Sequence, residues 1–349
     1  MLRYMQFINV LSGKIILTLY QNKKIDIILP WRIGDAILNI PMLVALKQLN
    51  EKYNDNNKIR IVTQPFLTKL YAPLEIFECK SLTIGRRLIS HLKPADVVFF
   101  TETINSNWGY TAKTKYGLTN SFKKIIKFDY EMPFMNIQKF KDFLPAELIS
   151  FLLDKCHLSL YSITLFGILL ELGYSAEQII DTFKIDFDSL TLNNFKGFLL
   201  PVMNEKYVVF CMEAAYGRKG DAFRRWNENN YIEIANKCFE DFEIKSVFIG
   251  INQDFKLPDK PNFIDLRKQL DLFKLAQVIK SSVYYIGNDT APLHIANIMQ
   301  KHSMGVYFRE ESLTDFSPIF PELNTQIFCP KTLEKVYEKF KQNYEKQKV

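Results

Sequence analysis

The 349-residue sequence lacks the short motifs that identify several large classes of protein. It contains neither GxGxxG nor GxxxxGK[ST], so the two common glycine-rich phosphate loops are excluded. Its five cysteines are scattered without a CxxC pair, which speaks against a zinc knuckle and fits a reducing compartment. Helix-turn-helix, zinc-finger and RNA-binding aromatic patterns are also missing, and we therefore expect no nucleic-acid partner.

Long hydrophobic runs are missing too, since no stretch reaches the roughly 18 apolar residues that span a bilayer. Residues 1–20 are apolar with few charges but lack a clear signal-peptide cleavage site. We interpret them as a helix or arm packed on the first domain; an interfacial membrane foot is the main alternative. The formal net charge of +7 is a mild excess that favours anionic partners such as nucleotide phosphates, acidic glycans or an anionic membrane surface.

The first half of the chain has the order strand, helix, strand. Ile25–Leu29 and Lys58–Thr63 are short β-branched runs typical of buried parallel strands, and Ala36–Leu49 between them has helical spacing. Asp96–Thr101 predicts a further strand, and the polar segment 103–127 is interpreted mostly as loops at a cleft rim. Residues 157–174 are almost continuously apolar and are interpreted as part of a helix pair, with a membrane hairpin as the alternative.

The second half begins again with a strand at Tyr207–Met212 and continues with alternating helices and strands up to a Lys/Glu-rich helix from Thr332 to Gln347. The stretch Asn193–Lys206, rich in Asn, Gly, Pro and Lys, separates the two periodic blocks. The pattern predicts an α/β protein of two domains, 1–195 and 196–349, with the last helix considered as packing back on the first domain.

Three loops, each between a strand and a helix, contain the candidate catalytic and ligand-binding residues. Arg32-Ile33-Gly34-Asp35 follows the first strand, and a capping role and a catalytic role for Asp35 stay equally open. Arg218 and Lys219, together with Arg224 and Arg225, follow the first strand of the second half. They would clamp a diphosphate or form a solvated charged loop.

The third loop is Asn288-Asp289-Thr290-Ala291-Pro292. The proline suits the first turn of a helix, whose amide groups and positive dipole end form an anion site. Thr290 would add a hydroxyl donor, and Asp289 would order the loop or accept from a sugar hydroxyl. Plain helix capping by Asp289 and Thr290 is the alternative, and His294, one turn further on, is first interpreted as a packing residue.

Four segments are similar to motifs of one family. IILPWRIGDAILNIPMLVALKQL resembles the opening motif of glycosyltransferase family 9, the ADP-heptose:lipopolysaccharide heptosyltransferases, and VYYIGNDTAPLHIANIM resembles its signature N-D-T-G-P-x-H-x-A-A. FCMEAAYGRKGDAFRRWNENNYIEIANKC is similar to its donor-binding segment, and NFIDLRKQLDLFKLAQVIKSS to its D-L-x-G-x-x-x-L-x-x-L-A stretch. The matches run in the family's order from about residue 25 to about residue 330.

The resemblance implies a GT-B architecture, in which two Rossmann-like domains face each other across a cleft. It also implies an inverting glycosyltransferase of the bacterial cytoplasm that requires no metal and no cofactor besides its nucleotide-sugar co-substrate. ADP-heptose is the leading donor, and lipopolysaccharide or another surface glycan is the acceptor. The apolar start of the chain suggests peripheral contact with the inner membrane.

The same resemblance implies roles for individual residues. Asp35 is the expected general base, and Arg32 and Gly34 position its loop. Arg224 stands where the family has a phosphate-binding lysine. The expected donor-binding residues are Arg218, Lys219, Arg224, Asp289, Thr290, Ala291 and His294.

Several positions depart from the family pattern. Ala291 replaces a glycine, Arg224 replaces the lysine and Asn227 replaces a common proline, while Arg267 is interpreted as standing where a glycine is usual. A side chain at position 291 would be strained if the backbone there had a positive φ. These departures leave two alternatives open: a catalytically silent GT-B binding or scaffold protein, and a nucleotide-sugar epimerase.

Overall fold

The computed structural model of the protein describes most of the chain outside a few segments. The described residues are 22–30, 32–53, 55–81, 95–101, 125–127, 144–195, 205–214 and 222–347. The apolar segment 1–20, most of the polar segment 103–127 and the loop that carries Arg218 and Lys219 lie outside them.

The first half forms a sheet of five parallel strands in the order β3-β2-β1-β4-β5. Its strands are β1 Lys24–Ile28, β2 Lys58–Thr63, β3 Glu78–Ser81, β4 Val97–Phe100 and β5 Ile125–Lys127. Its described helices are α1 Ile33–Ile37, α2 Ile40–Lys52, α3 Pro65–Tyr71, α4 Ala146–Ser150, α5 Leu160–Leu165, α6 Gly167–Glu171 and α7 Ala176–Thr182.

The second half forms a sheet of six parallel strands in the order β11-β10-β9-β6-β7-β8. Its strands are β6 Tyr207–Cys211, β7 Lys245–Ile249, β8 Phe263–Asp265, β9 Tyr284–Asn288, β10 Ser303–Tyr307 and β11 Asn324–Phe328. Its described helices are α8 Glu228–Phe242, α9 Leu272–Ser281, α10 Ala291–Ile298, α11 Glu311–Thr314 and α12 Leu333–Lys346.

Both sheets have the strand order of a Rossmann fold. Counted from its own first strand, each runs 3-2-1-4-5, and the second sheet adds a sixth strand. The order therefore reverses between β1 and β4 in the first sheet and between β6 and β9 in the second. Ligands of such sheets bind beyond the carboxyl ends of the strands at this reversal. The α/β fold class predicted from the sequence is confirmed.

The apolar segment 157–174 lies in the core. Helices α5 and α6 bury almost all of their side chains, and α7 begins with a capping box between Ser175 and Gln178. Among the described residues no single helix is long and apolar enough to cross a membrane. One bent pair, Leu160–Glu171 with Ala176–Thr182, passes that test by length and composition, with an angle of 118° between its parts.

Two details differ from the sequence-based expectation. The helix predicted over Ala36–Leu49 is two helices, α1 and α2, because Pro41 has no N–H to continue the hydrogen-bond ladder of α1. Residues 125–127, expected to be loop, form strand β5. The last helix, α12, contacts α8 of the second half, where the Tyr337 hydroxyl donates to the Lys237 carbonyl at 3.0 Å, and its packing back on the first domain stays a prediction.

Candidate active site

Helix α1 follows β1 directly and holds Asp35 in its first turn, at the carboxyl edge of the first sheet. Its backbone is held from several sides. The carbonyl of Asp35 accepts from Asn39 Nδ2 at 2.9 Å. The Ala36 carbonyl accepts from the Tyr71 hydroxyl, and the Leu38 carbonyl accepts from Ser162 Oγ at 2.9 Å. The Asp35 carboxylate itself is 22% exposed. A short helix anchored in this way presents one accessible carboxylate in a defined place.

Arg32 is the N-cap residue of α1, so Asp35 is the third helical residue and not the cap. The Arg32 Nη1 atom lies 3.8 Å from Asp35 Oδ2, and the arginine side chain is 48% exposed. An ion pair this exposed contributes little to stability. Arg32 is therefore placed to steer the Asp35 carboxylate rather than to hold the fold together.

Gly34 is where α1 meets the second half of the chain. A Cβ atom at this position would lie only 3.3 Å from His294 Cδ2, so a side chain here would press on the imidazole, which would have to shift by a few tenths of an ångström. His294 is 5% exposed, and its Nδ1 has no hydrogen-bond partner among the described residues. Burial lowers the pKa of His294, opposed by the charge of Asp289, so the imidazole is neutral at neutral pH.

The loop before α10 ends in an ordinary right-handed helix start. Thr290 is the extended N-cap residue, Ala291 is the first helical residue and Pro292 the second. Ala291 is not among the non-glycine residues with positive φ, so its methyl group causes no backbone strain. The departure from glycine at position 291 therefore leaves the helix N-terminus and its free amide groups intact.

Arg224 and Asp289 meet at this N-terminus. Arg224 ends a short 3-10 turn after β6, and its Nη2 donates to Asp289 Oδ2 and to the Asp289 carbonyl, both at 3.0 Å. The amide of Asp289 in turn donates to the Val306 carbonyl of β10 at 3.0 Å. These contacts use one guanidinium nitrogen, whereas a guanidinium offers five N–H donors in all. The pair therefore fixes a cation beside the start of α10.

Asn288 is a buried organising residue whose role the sequence did not reveal. Its Oδ1 accepts from the Trp226 amide at 3.1 Å and the Tyr231 hydroxyl at 2.8 Å, and its Nδ2 donates to the Met212 carbonyl at 2.7 Å. It thereby ties the end of β9 to the end of β6 and to the start of α8. The sequence signals Asn288 only as the first residue of the loop Asn288–Pro292 and of the family signature, and not as a residue that joins strands.

A recess of about 130 Å³ opens beyond the carboxyl ends of β6, β7 and β8, and it too was not predicted. The Glu213 carboxylate closes one side by accepting from the amides of Ile251 at 2.9 Å and Asn252 at 2.5 Å. Gly250 has φ +149°, and a Cβ there would collide with this carboxylate. Burial raises the pKa of Glu213. The recess is lined by Met212, Glu213, Arg225, Glu228, Ile249, Asn252, Asp254, Phe255 and Arg267.

The structure corrects the interpretation of Arg267 as the residue at a glycine position. The left-handed backbone belongs to its neighbour Lys268, with φ +62°, which is also the glycine position when D-L-x-G is counted from Asp265. Arg267 is buried and bidentate to Asp265, with Nε–Oδ1 2.8 Å and Nη2–Oδ2 2.7 Å. Asn227, the other departure, caps α8 by accepting from the Asn229 amide.

The predicted residues therefore fall into three groups. Arg32, Gly34 and Asp35 lie on α1, and Gly34 touches His294 of α10. Arg224, Asp289, Thr290 and Ala291 gather at the start of α10. Arg218 and Lys219 lie outside the described residues.

Two parallel Rossmann-type sheets, with polar residues at both strand-order reversals, define a GT-B protein. A family model described as glycosyltransferase family 9 (heptosyltransferase) matches residues 162–345, more than half of the chain. The chain belongs to this family and is a glycosyltransferase. No curated protein matches it.

Solved structures support the same fold. E. coli ADP-heptose LPS heptosyltransferase II superposes with a TM-score of 0.63 at 16% identity, covering 93% of this chain and 100% of that one. The glycosyl transferase family 9 protein of Veillonella parvula gives 0.57 at 16% identity, with coverage of 92% and 91%. E. coli heptosyltransferase WaaC with ADP gives 0.54 at 14% identity, with coverage of 93% and 98%. At such identities the likeness concerns the fold alone.

Proposed function

We propose that the protein transfers a heptose-like sugar from a nucleotide-diphosphate donor, with ADP-heptose as the leading candidate, to lipopolysaccharide or another surface glycan. One observation carries the proposal. The helix that holds Asp35 packs through Gly34 onto His294 of the helix whose N-terminus holds the Arg224–Asp289 pair. This contact supports the proposal, because sugar transfer from a diphosphate requires an accessible carboxylate close to a group that binds phosphate, and the N-terminus of α10 would be that group.

The diphosphate of the donor would bind at the start of α10. Backbone amides of the first turn and the positive end of the helix dipole attract phosphate, and Arg224 adds a full positive charge. His294 is neutral and would act as a packing and hydrogen-bonding group rather than as a cation. These groups would neutralise the leaving diphosphate without a metal ion, so we propose metal-independent transfer.

The nucleoside would occupy the recess beyond β6, β7 and β8. The carboxylates of Glu228 and Asp254 line it, and carboxylates accept hydrogen bonds from the two hydroxyls of a ribose. Glu213 would act indirectly, because its carboxylate holds the loop that carries Asn252 and Asp254.

Asp35 would act as the general base. Its carboxylate takes the proton of the acceptor hydroxyl while that oxygen attacks the anomeric carbon of the donor sugar. The bond from the anomeric carbon to the phosphate oxygen breaks, and the nucleoside diphosphate leaves with the electron pair. A single displacement of this kind inverts the anomeric configuration.

In this proposal the enzyme is cytoplasmic, and its acceptor is a glycolipid of the inner membrane. The apolar residues 1–20 would be its peripheral contact with that membrane. Deletion of residues 1–20 should abolish co-sedimentation with anionic lipid vesicles. Unchanged co-sedimentation would rule out this segment as the contact.

Thermal unfolding with ADP, UDP, GDP, CMP and NAD, with and without EDTA, tests the donor class. A ligand at about 100 times its dissociation constant stabilises the native state by about 2.7 kcal/mol. We expect a melting shift with ADP that EDTA does not reduce. A melting shift with another nucleotide alone would show that the donor carries that nucleotide instead of ADP. A shift that EDTA abolishes would refute metal independence.

A further inference from the structure

An exposed aromatic ring and an arginine form a pair at the rim of the second sheet. Phe223 is 53% exposed, and the guanidinium carbon of Arg309 lies 5.5 Å from the centre of its ring. Arg309 is half-buried and follows the end of β10. Such a cation–aromatic contact keeps both side chains in place while more than half of the phenylalanine surface stays open.

This pair adjoins the proposed diphosphate site. Phe223 directly precedes Arg224 in the 3-10 turn after β6. Arg309 follows Val306 by three residues, and the Val306 carbonyl accepts from the Asp289 amide. The ring and the guanidinium are therefore held by the same backbone segments that hold the Arg224–Asp289 pair.

The strand order indicates which part of a donor would reach this pair. The proposed nucleoside recess lies beyond β6, β7 and β8, and the diphosphate site lies at the reversal between β6 and β9. Strand β10, which leads to Arg309, lies on the opposite side of that reversal from β7 and β8. A nucleotide sugar is connected in the order nucleoside, diphosphate, sugar, so its sugar would extend toward β10.

We propose that Phe223 and Arg309 form the sugar subsite for the donor, an inference that rests on the proposed function. The electron-rich face of the ring would pack against the C–H face of the pyranose. The guanidinium would donate hydrogen bonds to sugar hydroxyls, because it carries five N–H groups and no acceptor. The pair would thus discriminate a nucleotide sugar from the bare nucleoside diphosphate.

Calorimetric titration of ADP and of ADP-heptose against the full-length protein and its variants tests the proposal. The wild type should bind ADP-heptose more tightly than ADP. In Phe223→Ala and in Arg309→Gln that advantage should fall about fivefold to tenfold, while the dissociation constant for ADP changes less than about twofold. Phe328→Ala is the matched control, because this phenylalanine is 47% exposed at the end of β11 and should leave both affinities unchanged.

The proposal is overturned if the variants keep the full advantage of ADP-heptose over ADP. It is also overturned if they lose affinity for both ligands equally, which would make the pair part of the diphosphate site. A wild type that binds both ligands equally would refute the sugar subsite while the proposed function stands. A wild type that binds neither ligand would refute the ADP-dependent function itself.

Discussion

An arginine–aspartate pair lies in each half of the chain, Asp26–Arg60 in the first and Arg224–Asp289 in the second, and the two pairs differ in where they lie relative to the strands. In the first sheet Asp26 of β1 and Arg60 of β2 are direct register neighbours, bonded at 2.6 Å (Nε–Oδ1) and 2.8 Å (Nη2–Oδ2). Their side chains are 0% and 8% exposed. In the second half Arg224 and Asp289 meet beyond the strand ends at 3.0 Å, with 19% and 11% exposure.

If Arg224 binds the donor as proposed, position relative to the strand ends, and not the type of ion pair, decides whether a charge serves binding. The pair inside the first sheet engages both carboxylate oxygens of Asp26 and is enclosed, so it contributes to the structure of the strand pair. The pair at the end of the second sheet lies in the region where ligands of parallel sheets bind. We therefore expect mutations of the first pair to change stability and mutations of the second to change donor binding.

The largest effect is expected at Asp35, which neither pair includes. Asp35→Asn should lower kcat about 10²-fold to 10⁴-fold, because the amide cannot take the acceptor proton. The dissociation constant for ADP should stay nearly unchanged, as measured by calorimetry. Arg32→Gln serves as a control in the same loop and should have a much smaller effect on kcat. Full activity of Asp35→Asn would refute its assignment as the base.

The next largest effect is expected on the free energy of unfolding when the buried Asp26–Arg60 pair is broken. Arg60→Met leaves the Asp26 carboxylate buried without its guanidinium, and we expect the free energy of unfolding to fall by about 3–5 kcal/mol. Urea unfolding measures this. The double variant Asp26→Leu/Arg60→Met should regain most of the loss, since it removes both buried charges. A single variant as stable as the wild type would contradict the structural role of the pair.

Breaking the Arg224–Asp289 pair beyond the strand ends should change the affinity for the donor instead. Arg224→Ala removes a charge-assisted contact and should weaken ADP binding about tenfold to a hundredfold. The melting temperature without ligand should change little. Arg224→Lys keeps the charge but not the fork of donors, and we expect an intermediate affinity. An unchanged dissociation constant in Arg224→Ala would remove this residue from the donor site.

The buried imidazole between the two halves predicts a pH effect on stability. Because burial lowers the pKa of His294, the native state excludes a proton that the unfolded chain binds below about pH 6.5. The contribution of the neutral imidazole to the free energy of unfolding is fully present above about pH 6.5, and it is lost as the pH falls toward the lowered pKa of the native state. His294→Asn should therefore lose less stability than the wild type between pH 7.5 and pH 5.5. Equal losses in urea titrations would contradict this prediction.

The smallest effect is expected at Lys268. A non-glycine residue with φ +62° is strained, and Lys268→Gly should raise the free energy of unfolding by at most about 1 kcal/mol. Lys268→Ala is the matched control, because it shortens the side chain and keeps the strain. If both variants gain the same stability, the lysine side chain and not the backbone conformation is responsible.

Apart from the edge strand β8, the strands that the sequence predicted lie inside the two sheets. β6 and β9 are almost entirely apolar, and β1 and β2 are buried apolar strands interrupted by Asp26 and Arg60, because a parallel strand inside a sheet is covered on both faces. β3 and β11 have no such runs and were not predicted, since both lie at a sheet edge and are partly exposed. The break between α1 and α2 was also missed, although Pro41 was visible in the sequence.

The sequence by itself determined the alternation of strands and helices, the loops that carry Asp35, Arg224 and Asp289, and the resemblance to the family. These features depend on local order, in which a short apolar run is followed by a polar loop and a helix start. Only the tertiary structure decided that Gly34 meets His294 and that Asn288 joins the ends of β6 and β9. Such contacts join residues far apart in the chain, and their geometry follows from how the sheets pack and not from any spacing in the sequence.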